Sequence, residues 1–526
     1  MSLTHPPAGG QVVLERRLAG LRGCDLLRGA LRGIEKESLR VTADGCIAAT
    51  PHPRALGSAL TNRFITTDFS EALLEFITPP LADLRGALQF LCDLHQFTCR
   101  RIGDELLWAM SMPCRIRGEE DIPIARYGDS NVGRMKTIYR RGLSYRYGRY
   151  MQAIAGLHYN FSLPEAFWPE YQALCGDRSP LPEFRSAAYL GLVRNVRRMG
   201  WFLMYLFGAS PAICRSFLKG GSAGLERLDD GTVYAPWATS LRMGDLGYHN
   251  AEQQRLRVSA NSLDEYIADL ESAIRTENPA YRKIGVLVDG EYRQLNANEL
   301  QIENEFYSTV RPKRVARSGE RPTLALRRGG VQYVELRILD INPFEPIGIN
   351  RWQARFVEAF LLYCLLAESP PIADDEEAEN RHNQALVAQR GRAPGLELAR
   401  AGGRCRLRDW AAEIFAAVAA VCELLAASGH PEYREACARY ADWVAEPEAT
   451  LSARLLAELR ASGEPLASFG LRLSRDYSDY FRELGDEVNA RLPLLLAEAE
   501  DSHRRQAEIE AGDRLSFEEY LAQYYA

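Results

Sequence analysis

The chain has 526 residues, of which 46% are hydrophobic and 25% charged, with a net charge of −6 and a pI near 5.9. That composition is globular, long enough for two or three domains or one large one, and apolar enough for a sizeable core. The mildly acidic balance argues against a nucleic-acid or anionic-membrane partner and is silent on small substrates.

Met1–Gln11 has no apolar run behind a basic start, so no secretory signal is expected, and residues 1–14 read as a flexible tail. In Gly33–Val41, Glu35 and Glu37 fall on one side of a strand and Ile34 on the other. Asp68–Ile77, read as extended, puts Glu71 and Glu75 on a shared face; as a helix, i and i+4 would share a face too. Leu81–Arg101 has helical spacing through Leu84, Leu88, Leu91 and Leu94. Gly133–Arg141 is basic around Tyr139. Leu157–Ser162 alternates His158 and Asn160 with Leu157, Tyr159 and Phe161.

Tyr189–Phe207 is a further apolar helix, and Trp201–Ile213 is too short and interrupted to span a bilayer. Arg242 falls in a loop-like stretch. Val286–Arg293 predicts a hairpin around Asp289-Gly290, and Gln301–Tyr307 an alternating strand with Glu303 and Glu305 outward. Arg311–Arg314 is a second basic cluster. Val331–Ile338 sets Glu335 and Arg337 against Val334, Leu336 and Ile338.

Strands mixed with irregular helices and local hairpins predict an α+β fold over residues 15–350. Beyond Pro346 the composition turns to Ala, Leu, Glu and Arg. Helices are expected over Arg351–Ala367, Leu407–Ala427, Glu432–Ala445, Leu451–Ala461 and Val488–Glu510. Residues 351–526 thus form a helical region packed on the catalytic core, read as scaffold.

The 11 cysteines show no CxxC or paired metal-ligand spacing. Most read as reduced core residues, Cys92 and Cys364 among them, while Cys114 and Cys175 lie in loop-like segments where they could pair. A cytoplasmic protein is expected.

If the charged strands share a sheet, one face carries several carboxylates, an imidazole and a guanidinium. Carboxylates so crowded stay ionised together only when cations neutralise them. Glu35, Glu37, Asp68, Glu71, Glu75 and Glu335 exceed the needs of one hard, oxygen-seeking ion such as Mg2+. Each member has a plainer reading. His158 alone fits a hydrogen-bonded structural histidine, and Glu35 and Glu37 alone fit a solvated strand face. The basic segments add groups that grip phosphate oxygens. No GxxxxGK[ST] loop, helix-opening GxGxxG or GxSxG elbow is present. The residues themselves point to metal-dependent phosphate chemistry.

Gly33–Arg40, Ile65–Phe76, Gly156–Ser162, Tyr205–Ala212, Gln301–Glu305, Arg311–Arg314 and Leu339–Phe344 closely resemble bacterial glutamate–cysteine ligase (γ-glutamylcysteine synthetase) of the proteobacterial type. The resemblance is dense from Gly33 to Ile347 and thins beyond. It implies a glutamine-synthetase-like fold, a curved, mainly antiparallel sheet forming a funnel. It also implies ATP-dependent joining of the L-glutamate γ-carboxylate to the L-cysteine amine through a γ-glutamyl phosphate. By that resemblance Glu35, Asp68, Glu75, His158 and Glu335, with Glu37 behind them, would hold two or three Mg2+ ions, with Mn2+ as an alternative. Arg140 and Arg337 would hold the phosphoryl group, and Arg242 a substrate carboxylate. Tyr139, Tyr248 and Tyr307 would line the cysteine pocket, and Lys313 and Arg314 would contact ATP phosphates. The partners implied are glutamate, cysteine and ATP, with no nucleic acid or membrane, and a monomer. The alternatives are a related ligase with another amine acceptor and a non-catalytic sensor on the same fold.

Overall fold

Seven strands form the sheet that holds the site, and the longer of them alternate with one apolar face. The computed structural model describes residues 8–113, 115–218, 224–247, 255–317 and 319–526. The strands are β1 (Leu31–Val41), β2 (Ile65–Thr67), β3 (Leu73–Ile77), β4 (Leu106–Leu107), β5 (Leu157–Ser162), β6 (Val310–Lys313) and β7 (Tyr333–Leu339). They form one sheet in the order β6-β7-β5-β1-β3-β2, with β4 beside β1, and every pairing is antiparallel.

The principal helices are α1 (Ala8–Gly20), α2 (Leu84–Cys99), α3 (Asn131–Tyr147), α4 (Leu181–Met199), α5 (Trp201–Phe207), α6 (Arg351–Leu366), α7 (Leu407–Ala427), α8 (Glu432–Ala445), α9 (Leu492–Gly512) and α10 (Phe517–Tyr525). Ile34, Phe76, Leu157, Tyr159, Phe161, Val334, Leu336 and Ile338 make the sheet's apolar face. That face shares one core with Phe90 and Leu94 of α2, Val193 and Val196 of α4, and Phe356 and Phe360 of α6. The core therefore continues across residue 350, and the C-terminal helices complete it.

Two polar groups on that apolar side are fully served. Glu358 of α6 accepts from Arg32 at 2.7 and 3.2 Å, from the Tyr159 hydroxyl at 2.6 Å and from the Tyr433 hydroxyl. This cluster clamps β1 and β5 to α6 and α8. Lys36, facing away from Glu35 and Glu37, donates to Ser38 at 2.6 Å and to His95 Nε2 at 2.9 Å. Burial pulls its amine down to about 7.

Several elements differ from the sequence expectation. α1 begins at Ala8 and buries Leu14, so the expected tail is helical over its second half. The expected helix through Tyr189–Phe207 breaks at Gly200 into α4 and α5. Gln301–Tyr307 is no strand; a single 3-10 turn spans Glu303–Glu305, with both glutamates buried. The 286–293 hairpin forms as expected, with Asp289 and Gly290 at φ 52° and 81°, the signature of its tight turn.

α7 is long and apolar enough to cross a membrane, with mean hydropathy 1.8. Its Trp410, Ile414, Val418 and Val421 are spent on the shared core. Cys92, Cys364 and Cys175 carry free thiols, which removes Cys175 from the expected pairing; Cys114 lies outside the described residues. Cys214 is disulfide-bonded.

Candidate active site

Register brings the polar residues together. Glu35 on β1 pairs with His158 on β5, Glu37 pairs with Glu75 on β3, and Glu335 on β7 lies between Asn160 and Arg311. Antiparallel partners project to the same face, so four strands deliver their ionisable groups to one patch. Glu35, Glu75 and His158 each place a ligand atom within 4.8 Å of the others. His158 Nδ1 is 3.3 Å from Glu35 and 3.7 Å from Glu335, and Nε2 is 4.0 Å from Glu37. Asn160 donates to Glu35 at 2.8 Å.

Two carboxylates in this patch are poorly compensated and two are well compensated. Burial, and then the charge of Asp68, push Glu37 up to about 8. Burial together with Glu35, Asp68 and Glu37 drives Glu75 well above the ordinary carboxylate range. Burial works against Glu35 as well, yet its bond to His158 and the charge of Lys313 hold it below that range. At Glu335 burial is outweighed by Lys313 at 3.4 Å, Arg337 at 2.8 Å and Arg311 at 4.0 Å, and the group sits far below. His158 is kept neutral by burial and by Arg337, the state in which imidazole ligates metals.

The donor set fits a hard divalent cation. Asn160 Oδ1 is buried and accepts no hydrogen bond, although buried oxygens nearly always do. The crowding at Glu37 and Glu75 is also what a cation relieves.

Asp68 sits in the turn joining β2 to β3, at the edge of the patch. Arg140 of α3 donates Nε to the Asp68 carbonyl, lies 4.0 Å from its carboxylate, and stacks 4.5 Å over the Tyr127 ring. Glu71 leaves the patch: the same turn directs it outward, where it accepts from the backbone of His52 and Arg126. It lines a separate surface groove of about 510 Å3 behind α3.

Arg242 is buried in a 3-10 turn, donates to the Arg337 carbonyl at 3.1 Å and lies 3.6 Å from Asp340. Gly156, just before β5, makes room for it, since a Cβ there would fall 2.0 Å from its guanidinium. A cavity of about 110 Å3 opens between Glu37, Asp68, His158, Arg242 and Arg337 on one side and Tyr139, Leu143, Gln152, Glu305 and Tyr307 on the other. Tyr307 accepts from Gln152 at 2.8 Å. Tyr248 lies outside the described residues.

Arg314 does not join the site. It donates to the carbonyls of Gly329 and Gly330 at the end of the 322–329 helix. Arg311 stands on the polar face instead: on β6, residues 311 and 313 share a face, and Arg311 lies opposite Glu335. Strand parity within the basic cluster was the available signal. Lys136 is a second omission. It lies one turn before Arg140 on α3, 5.2 Å over Tyr127, with its amine pulled down to about 8 by burial and by Arg140. Reading 133–141 as helical would have put Lys136 and Arg140 on one face.

A family model described as Glutamate-cysteine ligase matches residues 17–387. The glutamate–cysteine ligase of Alcanivorax borkumensis is 50% identical over 521 residues, covering 97% of this chain and 99% of its own length. That of Pseudomonas paraeruginosa is 49% identical and covers 98% of both chains. Among solved structures, the glutamate–cysteine ligase of Francisella tularensis in complex with AMP matches with TM-score 0.88 and 38% identity, over 94% of this chain and 97% of that one. A bifunctional glutathione synthetase from Pasteurella multocida matches with TM-score 0.67 and 27% identity, over 90% of this chain and 54% of that one.

Proposed function

The chain belongs to the glutamate–cysteine ligase family and makes γ-glutamylcysteine in an ATP-dependent reaction, the first step of glutathione biosynthesis; from that premise we propose how its residues divide the work. A γ-carboxylate oxygen of glutamate attacks the γ-phosphorus of ATP, and the bond to ADP breaks. The cysteine amine then attacks the carbonyl carbon of the γ-glutamyl phosphate, and phosphate leaves with the electron pair of the C–O bond. Activation comes first because a carboxylate is a poor electrophile with no good leaving group.

Glu35, Glu75 and His158 would hold one cation, and Glu335, Glu37 and Asp68 would complete the sites of one or two more. Magnesium or manganese bound there supplies positive charge against the transferred phosphoryl oxygens. Arg140 and Arg337 flank that position and hold the phosphoryl group in line. Lys313, beside Glu335, reaches toward the nucleotide phosphates. Arg314 is not given that role, because its guanidinium is committed to backbone carbonyls. Arg242 binds an amino-acid carboxylate, and Tyr139 and Tyr307 line the place of the cysteine side chain. A pocket of this kind discriminates by only about 1–3 kcal/mol per methylene, so 2-aminobutyrate is tolerated. The reading includes a cytoplasmic monomer.

The convergence of Glu35, Glu75 and His158 from three strands carries this reading. The test is glutamate labelled with heavy oxygen in its γ-carboxylate. Transfer of one label to the released phosphate is expected; unlabelled phosphate from a reaction that still yields the dipeptide would exclude the acyl phosphate.

A further inference from the structure

The helix farthest along the chain packs on α3, which forms one wall of the cavity described above. α10 lies well beyond residue 387, where the family match ends, in a region that the sequence reads as scaffold. Its Phe517 and Leu521 pack on Met135 and Ile138 of α3 and on Leu295, in a small cluster separate from the main core. The contact is also polar. Asn131, at the start of α3, donates to the Leu515 carbonyl at 2.9 Å, and the Tyr292 hydroxyl donates to Glu518 at 2.9 Å.

The decisive bonds run through Tyr525. Its hydroxyl donates to the Gln301 carbonyl at 2.7 Å and accepts from Asn296 at 2.9 Å. Gln301 is fully buried and distributes that hold in two directions. Its side-chain amide donates to the Tyr139 carbonyl at 3.1 Å, and its backbone N–H donates to Glu305 Oε2 at 2.6 Å. Its side-chain oxygen accepts from Leu295 N at 2.9 Å, which fixes the amide's orientation. Gly142 of α3 permits the approach, since a Cβ there would fall 2.2 Å from Gln301 Oε1. Glu305 is held from its other side by Arg146 at 3.0 Å and the Tyr147 hydroxyl at 2.8 Å. Tyr139 and Glu305 both line the cavity described above.

We propose that Tyr525 is a positioning residue for the amine-acceptor site, setting Tyr139 and Glu305 through Gln301. The inference rests on the reading of that cavity as the cysteine pocket. Tyr525 touches no substrate; it fixes the wall against which the acceptor packs, on the side away from the carboxylate patch. Its loss is therefore felt in acceptor binding before it is felt in phosphoryl transfer.

The experiment is steady-state kinetics on the full chain, varying cysteine, glutamate and ATP in turn, for Tyr525→Phe, Tyr139→Leu and Tyr520→Phe. Tyr525→Phe keeps the ring and removes one hydroxyl, so unfolding is not expected; thermal unfolding checks this. Loss of one such bond predicts a KM for cysteine raised roughly 3- to 10-fold, with kcat and the other two KM values within about twofold. Tyr520→Phe, on the same helix, leaves all parameters unchanged. If Tyr139→Leu raises the cysteine KM and Tyr525→Phe does not, the positioning role is wrong and the pocket reading stands. If Tyr139→Leu also spares cysteine, the pocket reading falls and takes this inference with it. If Tyr525→Phe shifts all three substrates together with the unfolding temperature, the helix is only structural and the inference is overturned.

Discussion

Glu335→Gln and Glu75→Gln both remove one carboxylate from the same patch, yet they should affect the metal-free protein differently. Glu335 is buried against Arg337 at 2.8 Å, Lys313 at 3.4 Å and Arg311 at 4.0 Å. Glutamine keeps the shape but turns a charge-assisted bond into a neutral one and leaves three cations without their counter-charge. A hydrogen bond to a charged group contributes about 1.5–3 kcal/mol, so a loss of about 2–3 kcal/mol is expected. Glu75 is surrounded by Glu35, Glu37 and Asp68, and burial already drives it toward its protonated form. Glutamine there replaces a group whose charge burial and its neighbours already disfavour, and the change should stay within about 0.5 kcal/mol or favour the variant. Urea unfolding in the presence of a chelator measures both. Adding Mg2+ at about a hundred times its dissociation constant should stabilise the parent by about 2.7 kcal/mol for each ion bound, and both variants by less. Both should lose about 100- to 1,000-fold in turnover, of the order seen when a transition-state charge stabiliser is removed. Equal destabilisation of the two metal-free variants, or a larger loss at Glu75, would refute the charge map.

Arg242→Ala should raise the KM of an amino-acid substrate about 10- to 100-fold while sparing that of ATP, as expected for one charge-assisted bond; a change confined to ATP would remove its assigned role. Glu358→Ala should cost about 3–5 kcal/mol in denaturant unfolding, because it strands the Arg32 guanidinium in the core. The double change Arg32→Met, Glu358→Leu should cost less than that single one; additive losses would show that the pair is not what holds β1 to α6. His52 is pulled down to about 4 by burial and by Arg40. Its folded pKa lies below the unfolded value, so its contribution is complete above pH 6.5 and is lost as pH falls toward 4. Relative to His52→Leu, the parent should lose up to about 3 kcal/mol between those limits, and parallel stability–pH curves would dismiss it.

The sheet and most of the patch were legible because strand alternation is short-range: Glu35 and Glu37, His158 and Asn160, and Glu335 and Arg337 keep their parity wherever the strand lies. What parity could not supply was the interruption of strands. Glu71 lies within a turn closed by the Leu73 N–H to Ser70 carbonyl bond and Glu75 in the strand beyond it, so their apparent common face never forms. Gln301–Tyr307 alternates like a strand, but Glu303 and Glu305 are drawn inward by Thr323 and by Arg146, which no local pattern reveals. Arg314 lies just past the end of β6, an end point that the residue pattern does not mark. The role inferred for Tyr525 depends on contacts across more than two hundred residues and leaves no local trace. Composition marked the C-terminal third as helical, but only packing shows that its helices complete the core.

The most direct test of the central claim is a Mn2+ titration of the purified protein followed by electron paramagnetic resonance. The parent should bind two or three ions per chain, and the Glu35→Gln, Glu75→Gln double variant should lose at least one of them while remaining folded. A parent that binds no Mn2+, or a double variant that binds as many ions as the parent, would contradict the assignment of the carboxylate patch as the metal centre.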